Sequence, residues 1–145
     1  MFNGIIKNVG TIKQISKSKN NCLMKIYSKI KFTEKEIGSS ISCSGACLTL
    51  EKYRGKISEF YLSKETLKKT IFGSSQKGDV INFEKSIKFG ERLSGHFVQG
   101  HVDTTSKVKK IKNVGKSWIS VMHHTSSLHK CLSSKYTTSE QVGAK

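Results

Sequence analysis

Residues 38–50 constrain the fold most strongly, because they alternate apolar and small polar side chains on both sides of one glycine. The alternating positions are Ser40, Ile41, Ser42 and Cys43, and then Cys47, Leu48, Thr49 and Leu50. A period of two is typical of strands with one face toward a core, and Ser44-Gly45 is a turn signal. These residues predict a β-hairpin with hydroxyl and thiol groups on one face, suited to a polar ligand. An ordinary hairpin whose serines face water explains the segment equally well, so a function needs support from elsewhere.

The same alternation predicts further short strands on both sides of this hairpin. They are expected at residues 2–7, 9–15, 22–27, 57–62 and 79–83. Gly10 lies inside one of them and predicts a bulge or a sharp bend, and residues 31–37 predict a connection with a helical turn. Ser63 is placed to cap a short helix that carries Glu65 in its first turn. We therefore expect an all-β fold, a six-stranded antiparallel Greek-key barrel with one short helix.

The chain begins to repeat itself near residue 98. Residues 2–6 match residues 98–102 at an offset of 100 − 4 = 96. A repeat of this kind indicates a duplicated structural unit. We expect a first barrel over residues 1–96 and an incomplete second copy of the same barrel over residues 97–145. The hairpin finds no counterpart at that offset and polar residues dominate from about residue 123, so we expect a disordered tail there.

The charge of the chain invites a nucleic-acid function, which the distribution of the charges argues against. The formal net charge is +16, and basic proteins bind phosphates. However, Arg54 and Arg92 are the only arginines, and the lysines are scattered without a basic helix or an aromatic platform. We expect no nucleic-acid partner.

The cysteines and the ends of the chain predict a cytoplasmic protein without metal. The four cysteines form no CxxC pair, and Cys43 and Cys47 lack the second ligand pair that a zinc site needs. We interpret all four as reduced thiols. The chain carries no apolar run of membrane-spanning length and no signal-peptide pattern, so no membrane contact is expected. A second group of possible metal ligands, which we interpret as a chance grouping, comprises His123, His124, His129 and Cys131.

Five motifs, in order and at matching spacing, resemble the alpha chain of riboflavin synthase from residue 1 to about residue 122. They are Met-Phe-Asn-Gly-Ile-Ile at 1–6, Gly-Ala-Cys-Leu-Thr at 45–49, Lys-Glu-Thr-Leu at 64–67, Gly-Asp-Val-Ile-Asn-Phe-Glu at 78–84 and Gly-His-Phe-Val-Gln-Gly-His-Val-Asp at 95–103. The resemblance implies two barrels of one kind. It also implies a cofactor-free dismutation of two 6,7-dimethyl-8-ribityllumazine molecules into riboflavin and 5-amino-6-ribitylaminouracil. Such a reaction depends on orientation of two rings and on general acid–base catalysis.

The resemblance also implies roles for individual residues. His101 would carry protons, because an imidazole titrates near neutral pH, and Cys47 and Ser40 complete the catalytic candidates. The first lumazine would lie against Cys47, Leu48 and Thr49, and the pocket would be closed by Gly100, His101 and Val102. The ribityl chain of this lumazine would contact a continuous stretch, namely Tyr61, Leu62, Ser63, Lys64, Glu65 and Thr66. The second lumazine would contact Gly4, Ile5 and Ile6.

Three features of riboflavin synthases have no counterpart in the sequence. They are the binding strand of the second barrel, its Glu-Thr-Leu helix, and the C-terminal helix that holds a homotrimer together. A non-catalytic lumazine- or flavin-binding protein of the same fold, or an inactive fragment, therefore stays open beside the enzyme. A monomer or dimer stays open beside the trimer.

Overall fold

The computed structural model describes residues 1–19 and 21–123. Its strands are β1 (Asn8–Lys17), β2 (Asn21–Ser28), β3 (Ser40–Cys43), β4 (Ala46–Thr49), β5 (Lys52–Arg54), β6 (Ile57–Ser63), β7 (Val80–Lys85), β8 (Lys107–Val114) and β9 (Ser117–His123). One α-helix, α1 (Lys64–Lys69), and two 3₁₀ turns, Glu34–Glu36 and Ile71–Gly73, connect them. The predicted all-β class with one short helix is confirmed.

Seven strands form one antiparallel sheet in the order β4-β3-β7-β1-β2-β6-β5. Its two edge strands, β4 and β5, are consecutive along the chain and are joined only by Leu50 and Glu51. The Leu50 amide donates to Ser39 beside β3, whereas the Glu51 amide donates to Glu59 on β6. The sheet therefore curls until its two edges meet at this junction.

The inside of the curled sheet is filled by the apolar half of each alternating strand. On β2 the buried residues are Cys22, Met24, Ile26 and Ser28, in strict alternation with half-buried or exposed ones. Aromatic rings fill the centre, where Phe83 lies edge-on to Phe32 and Phe60 with ring centroids 6.2 and 6.0 Å apart. Such pairs add stability beyond the burial of their area. The period-two pattern thus marks the core side of β2 and β6 correctly.

Two predicted details of the first strands are wrong. Residues 2–7 form no strand, since only Phe2 makes an isolated bridge, to Val98, and Gly4 then turns the chain with a φ of 72°. The bulge predicted at Gly10 lies instead between Ile12 and Gln14. Gly10 has a different role, because an added Cβ would lie 2.5 Å from Cγ2 of Ile26 on the neighbouring strand. Only a glycine allows β1 and β2 to approach this closely.

The main sheet has seven strands where a six-stranded barrel was expected. Strand β5 was not predicted from the alternation, and it pairs with β6 through Lys52, Tyr53 and Arg54.

Within residues 1–19 and 21–123, strands β8 and β9 pair only with each other, in a hairpin apart from the main sheet. Their register shifts between Val108 and Lys110, just as the register of β1 and β2 shifts between Ile12 and Gln14. The two shifts are separated by 108 − 12 = 96 residues, the offset of the sequence repeat. This is what a duplicated first hairpin requires. The incomplete second barrel over residues 97–145 and the disordered tail from about residue 123 stay predictions. His124, His129 and Cys131 lie outside the described residues.

Helix α1 begins as the sequence predicts. The Ser63 hydroxyl accepts a hydrogen bond from the Thr66 amide at 3.1 Å, which satisfies one of the free N–H groups of the first turn. Glu65 pairs with Lys69 one turn later at 2.8 Å. The cap and the ion pair place the helix directly after β6 and fix where it starts.

Candidate functional site

A row of polar side chains crosses three neighbouring strands on the outside of the curled sheet. Ser42 on β3 lies opposite Cys47 on β4 and opposite Glu84 on β7. Because cross-strand partners share a face, the three side chains point the same way, whereas the buried neighbours Leu48 and Phe83 point into the core. We call Glu84, Ser42 and Cys47 the outer row. Ser42 is only 3% exposed, so other parts of the chain cover the row.

One cover is the crossing segment, residues 96–102, which docks on β4 through its glycine. The Cys47 amide donates to the Gly100 carbonyl at 2.9 Å. Gly100 has a φ of 79°, and an added Cβ would lie 2.9 Å from both the amide nitrogen and Cβ of Cys47. Two residues on, Val102 packs against the core cluster. The structure therefore brings Gly100, one of the predicted pocket residues, onto the strand that carries Cys47 and Thr49.

The second cover is the N-terminal arm, residues 1–6. Phe2 is fully buried and exchanges two backbone hydrogen bonds with Val98, at 2.8 and 3.0 Å. The Asn3 amide donates to Oε1 of Glu84 at 2.8 Å. The arm is thus tied to the crossing segment on one side and to the outer row on the other.

Two cysteines lie close together at the turn between β3 and β4, in different environments. Burial, and secondly the neighbouring Cys47, raise the pKa of the Cys43 thiol well above its usual range, so this thiol is neutral at pH 7. Cys47 is half-buried on the outer face. Of the two, Cys47 alone is placed to contact a ligand on that face.

The hydroxyl candidates lie beside the outer row. Ser40 and Thr49 are cross-strand partners at the open end of the β3–β4 hairpin. Ser40 is half-buried and Thr49 is exposed. Both hydroxyls are therefore on the outer face, as the alternation predicts, with Cys47 two residues before Thr49.

The candidates on β6 and α1 fall into three groups. Leu62 is 1% exposed and belongs to the core, as Leu48 does on β4. Ser63 and Thr66 are engaged in the helix cap, where their hydroxyl oxygens are 3.0 Å apart. The remaining candidates are exposed and comprise Tyr61, Lys64 and Glu65.

Helix α1 also lies near the end of the crossing segment. The pKa of the Lys69 ammonium is raised, first by its hydrogen bond to Glu65 and also by the charge of Asp103. Leu67 of the helix and Val102 both pack against the core cluster. The residues after Gly100 therefore run from β4 toward α1.

The structure does not place the remaining candidates against Cys47. Gly4 and Ile5 are exposed and Ile6 is half-buried. This stretch follows Asn3, whose amide donates to Glu84, and it lies beside Gly95, where an added Cβ would lie 3.3 Å from Cγ1 of Ile5. The His101 side chain is exposed next to Gly100. These residues lie at the rim of the covered row.

Glu84 is the last residue of the motif at 78–84, and no role was predicted for it from the sequence. Its partner, Asn3, is 81 residues away in the chain, so no local pattern could predict the contact. The one available signal was a carboxylate directly after the apolar residues of β7.

The described residues lack two further features, a membrane-spanning helix and a cluster of metal ligands. Over residues 1–19 and 21–123, no helix is both long and apolar enough to cross a membrane. Across the same residues, no three His, Cys, Asp or Glu side chains are grouped so that they could hold a metal ion.

Two riboflavin synthases match most of the chain. The one from Buchnera aphidicola subsp. Schizaphis graminum is 32% identical over 120 residues, covering 82% of this chain and 58% of that protein. The one from Brucella abortus is 35% identical over 120 residues, covering 79% of this chain and 59% of that protein. The chain therefore spans less than two thirds of the length of these relatives.

Solved structures of LumP share the fold. LumP complexed with 6,7-dimethyl-8-(1'-D-ribityl) lumazine matches with a TM-score of 0.68 at 23% identity, over 84% of this chain and 68% of that chain. LumP complexed with flavin mononucleotide matches with a TM-score of 0.63 at 25% identity, over 77% of this chain and 63% of that chain.

A model of the family described as the lumazine binding domain matches residues 3–86. This span contains β1 to β7, α1 and the whole outer row, and it is more than half of the chain. Together with the resemblance of the motifs and the relatives above, it shows that the chain belongs to the lumazine-binding domain family, with riboflavin synthases among its relatives.

Proposed function

We propose that the outer face around Cys47 and Thr49 binds 6,7-dimethyl-8-ribityllumazine, and that the chain acts as a riboflavin synthase. One observation carries the proposal. The hydrogen bond from the Cys47 amide to the Gly100 carbonyl joins two motifs that lie 53 residues apart in the sequence and that the resemblance assigns to one pocket. The ring would lie against Cys47 and Thr49, with Ser40 as a further hydroxyl.

The chemistry suits the residues at this face. Lumazine is electrophilic at C7 and acidic at its 7-methyl group, so the protein has to hold two rings together and move protons. His101 is exposed beside the docked Gly100 and would accept a proton from, or return one to, the bound ring. No metal or other cofactor enters this proposal.

Binding by the Thr49 hydroxyl is tested by a Thr49→Ala variant. We expect affinity for ribityllumazine to fall by about 1 kcal/mol, roughly fivefold, which is typical of one lost hydrogen bond. Fluorescence titration measures it. Thr11→Ala is the matched control, because Thr11 is a half-buried threonine on β1 and has no role in the site. Equal affinities of wild type and Thr49→Ala would remove Thr49 from the site.

Turnover is expected to be very low. The dismutation needs two lumazines face to face, and the sequence repeats only the first strands of the barrel. Two first barrels related by a twofold axis would still supply two faces, since closed dimers are the commonest oligomers. The measurement is riboflavin formation from ribityllumazine by the purified chain, with His101→Ala beside it. Turnover at the level of riboflavin synthases that is lost in His101→Ala would contradict the low value and establish the enzyme.

A non-catalytic lumazine- or flavin-binding protein is the second candidate. It is favoured by the single complete set of first-barrel motifs and by the likeness to LumP, whose structures hold a lumazine or a flavin. Tight binding of ribityllumazine without any riboflavin formation would select it. The homotrimer, the boundary at residue 96 and a cytoplasmic location stay predictions under either candidate.

A further inference from the structure

The N-terminal arm is held to the barrel by one carboxylate at the end of the outer row. Oε1 of Glu84 accepts a hydrogen bond from the Asn3 amide at 2.8 Å. Glu84 is half-buried and lies in the same row as Ser42 and Cys47. We propose that Glu84 is a positioning residue, whose acceptor oxygens set the arm and the crossing segment in the arrangement that binds lumazine. The proposal rests on the proposed function for its ligand.

Hydrogen bonds connect the N-terminal arm, which Glu84 holds, to Cys47 through the crossing segment. Phe2, one residue before Asn3, is bridged to Val98, and the Asn3 carbonyl accepts the His96 amide at 3.2 Å. Two residues after Val98, the Gly100 carbonyl accepts the Cys47 amide. A continuous set of hydrogen bonds therefore runs from one end of the outer row, through both covering segments, to the other end. Loss of the acceptor at Glu84 frees the Asn3 amide and removes the first hydrogen bond of this set.

Burial disfavours the charged form of the Glu84 carboxyl group. Burial raises the pKa of its carboxyl group, although the amides of Asn3 and Gly4, the ammonium of Lys7 and the N-terminal amine act in the opposite direction. The folded protein thus holds a proton on Glu84 more tightly than the unfolded chain does. Its contribution to stability is greatest below the ordinary range of a glutamate and is lost as the pH rises through the raised pKa.

The test compares Glu84→Ala, which removes the acceptor, with Glu84→Gln, which keeps a neutral one. In Glu84→Ala, the Asn3 amide loses its acceptor, so we expect hydrogen exchange of Asn3 to accelerate about tenfold and lumazine affinity to fall about tenfold. Glu84→Gln should restore most of both. It should also flatten the pH dependence of stability that Glu84 gives the wild type. Glu34→Ala, at an exposed glutamate of a 3₁₀ turn, is the control and should leave exchange and affinity unchanged.

Each result decides a separate part of the proposal. Unaltered exchange in Glu84→Ala would overturn the anchoring of the arm. Faster exchange with unaltered affinity would overturn the link to the ligand, and an equal loss in Glu84→Gln and Glu84→Ala would overturn the acceptor role. If the wild type binds no lumazine, the proposed function fails, and the exchange measurement still distinguishes that failure from a failure of the anchor.

Discussion

Replacing Phe83 with alanine is expected to lower the free energy of unfolding by about 3–5 kcal/mol, the usual cost of removing a buried phenylalanine ring. Phe83 is fully buried on β7 and lies edge-on to two further rings, those of Phe32 and Phe60, at 88° and 85°. The loss therefore combines exposed apolar area, a cavity and two aromatic pairs. A small domain has little more stability than this in total, so the variant should be largely unfolded at moderate urea concentrations.

The urea midpoint measures this effect, with the slope of the transition showing whether unfolding stays cooperative. Phe89→Ala is the matched control, because the Phe89 ring is fully exposed. Its stability should stay within about 0.5 kcal/mol of the wild type. Similar midpoints for the two variants would contradict the description of Phe83 as the centre of the core.

The strands could be predicted from the sequence where one face of the sheet packs on the core and the other face is exposed to solvent. Residues 22–27 and 57–62 were predicted as strands and form β2 and β6 with strict alternation of burial. The alternation follows from the curled sheet, whose inner face packs on the core and is mostly apolar. The prediction for residues 2–7 failed because the burial of Phe2 depends on Val98, a partner from the far side of the chain.

The site was predictable only in part, for the same reason. The outward positions of Cys47 and Thr49 follow from the hairpin pattern, since they alternate with the buried Ala46 and Leu48. The covering of the outer row does not follow from it, because Gly100 and Asn3 reach the row from distant parts of the chain. The resemblance to riboflavin synthase assigned Gly100 and Cys47 to one pocket, but it gave no contact between them. It assigned no role to Glu84.

Gly100 is the position at which one added methyl group should affect binding most. Its φ of 79° is unfavourable for alanine, and the new Cβ would lie 2.9 Å from the Cys47 amide nitrogen and 3.2 Å from the Gly45 carbonyl oxygen. These contacts are with backbone atoms, which cannot move aside as a flexible side chain can. The crossing segment must therefore leave β4 and give up its hydrogen bond to Cys47.

We expect Gly100→Ala to lower lumazine affinity on the order of a hundredfold. A left-handed conformation costs alanine about 1–2 kcal/mol, and the separated Cys47 amide adds about 1–3 kcal/mol if it stays buried without an acceptor. Gly90→Ala separates the two causes, because Gly90 has a φ of 84° with nothing within 4 Å of an added Cβ. That control shares the backbone strain and lacks the collision, so it should lower stability slightly and leave affinity unchanged. If Gly100→Ala binds lumazine as Gly90→Ala does, the docking of the crossing segment on Cys47 is not required for binding, and the pocket must be formed by β4 and α1 without it.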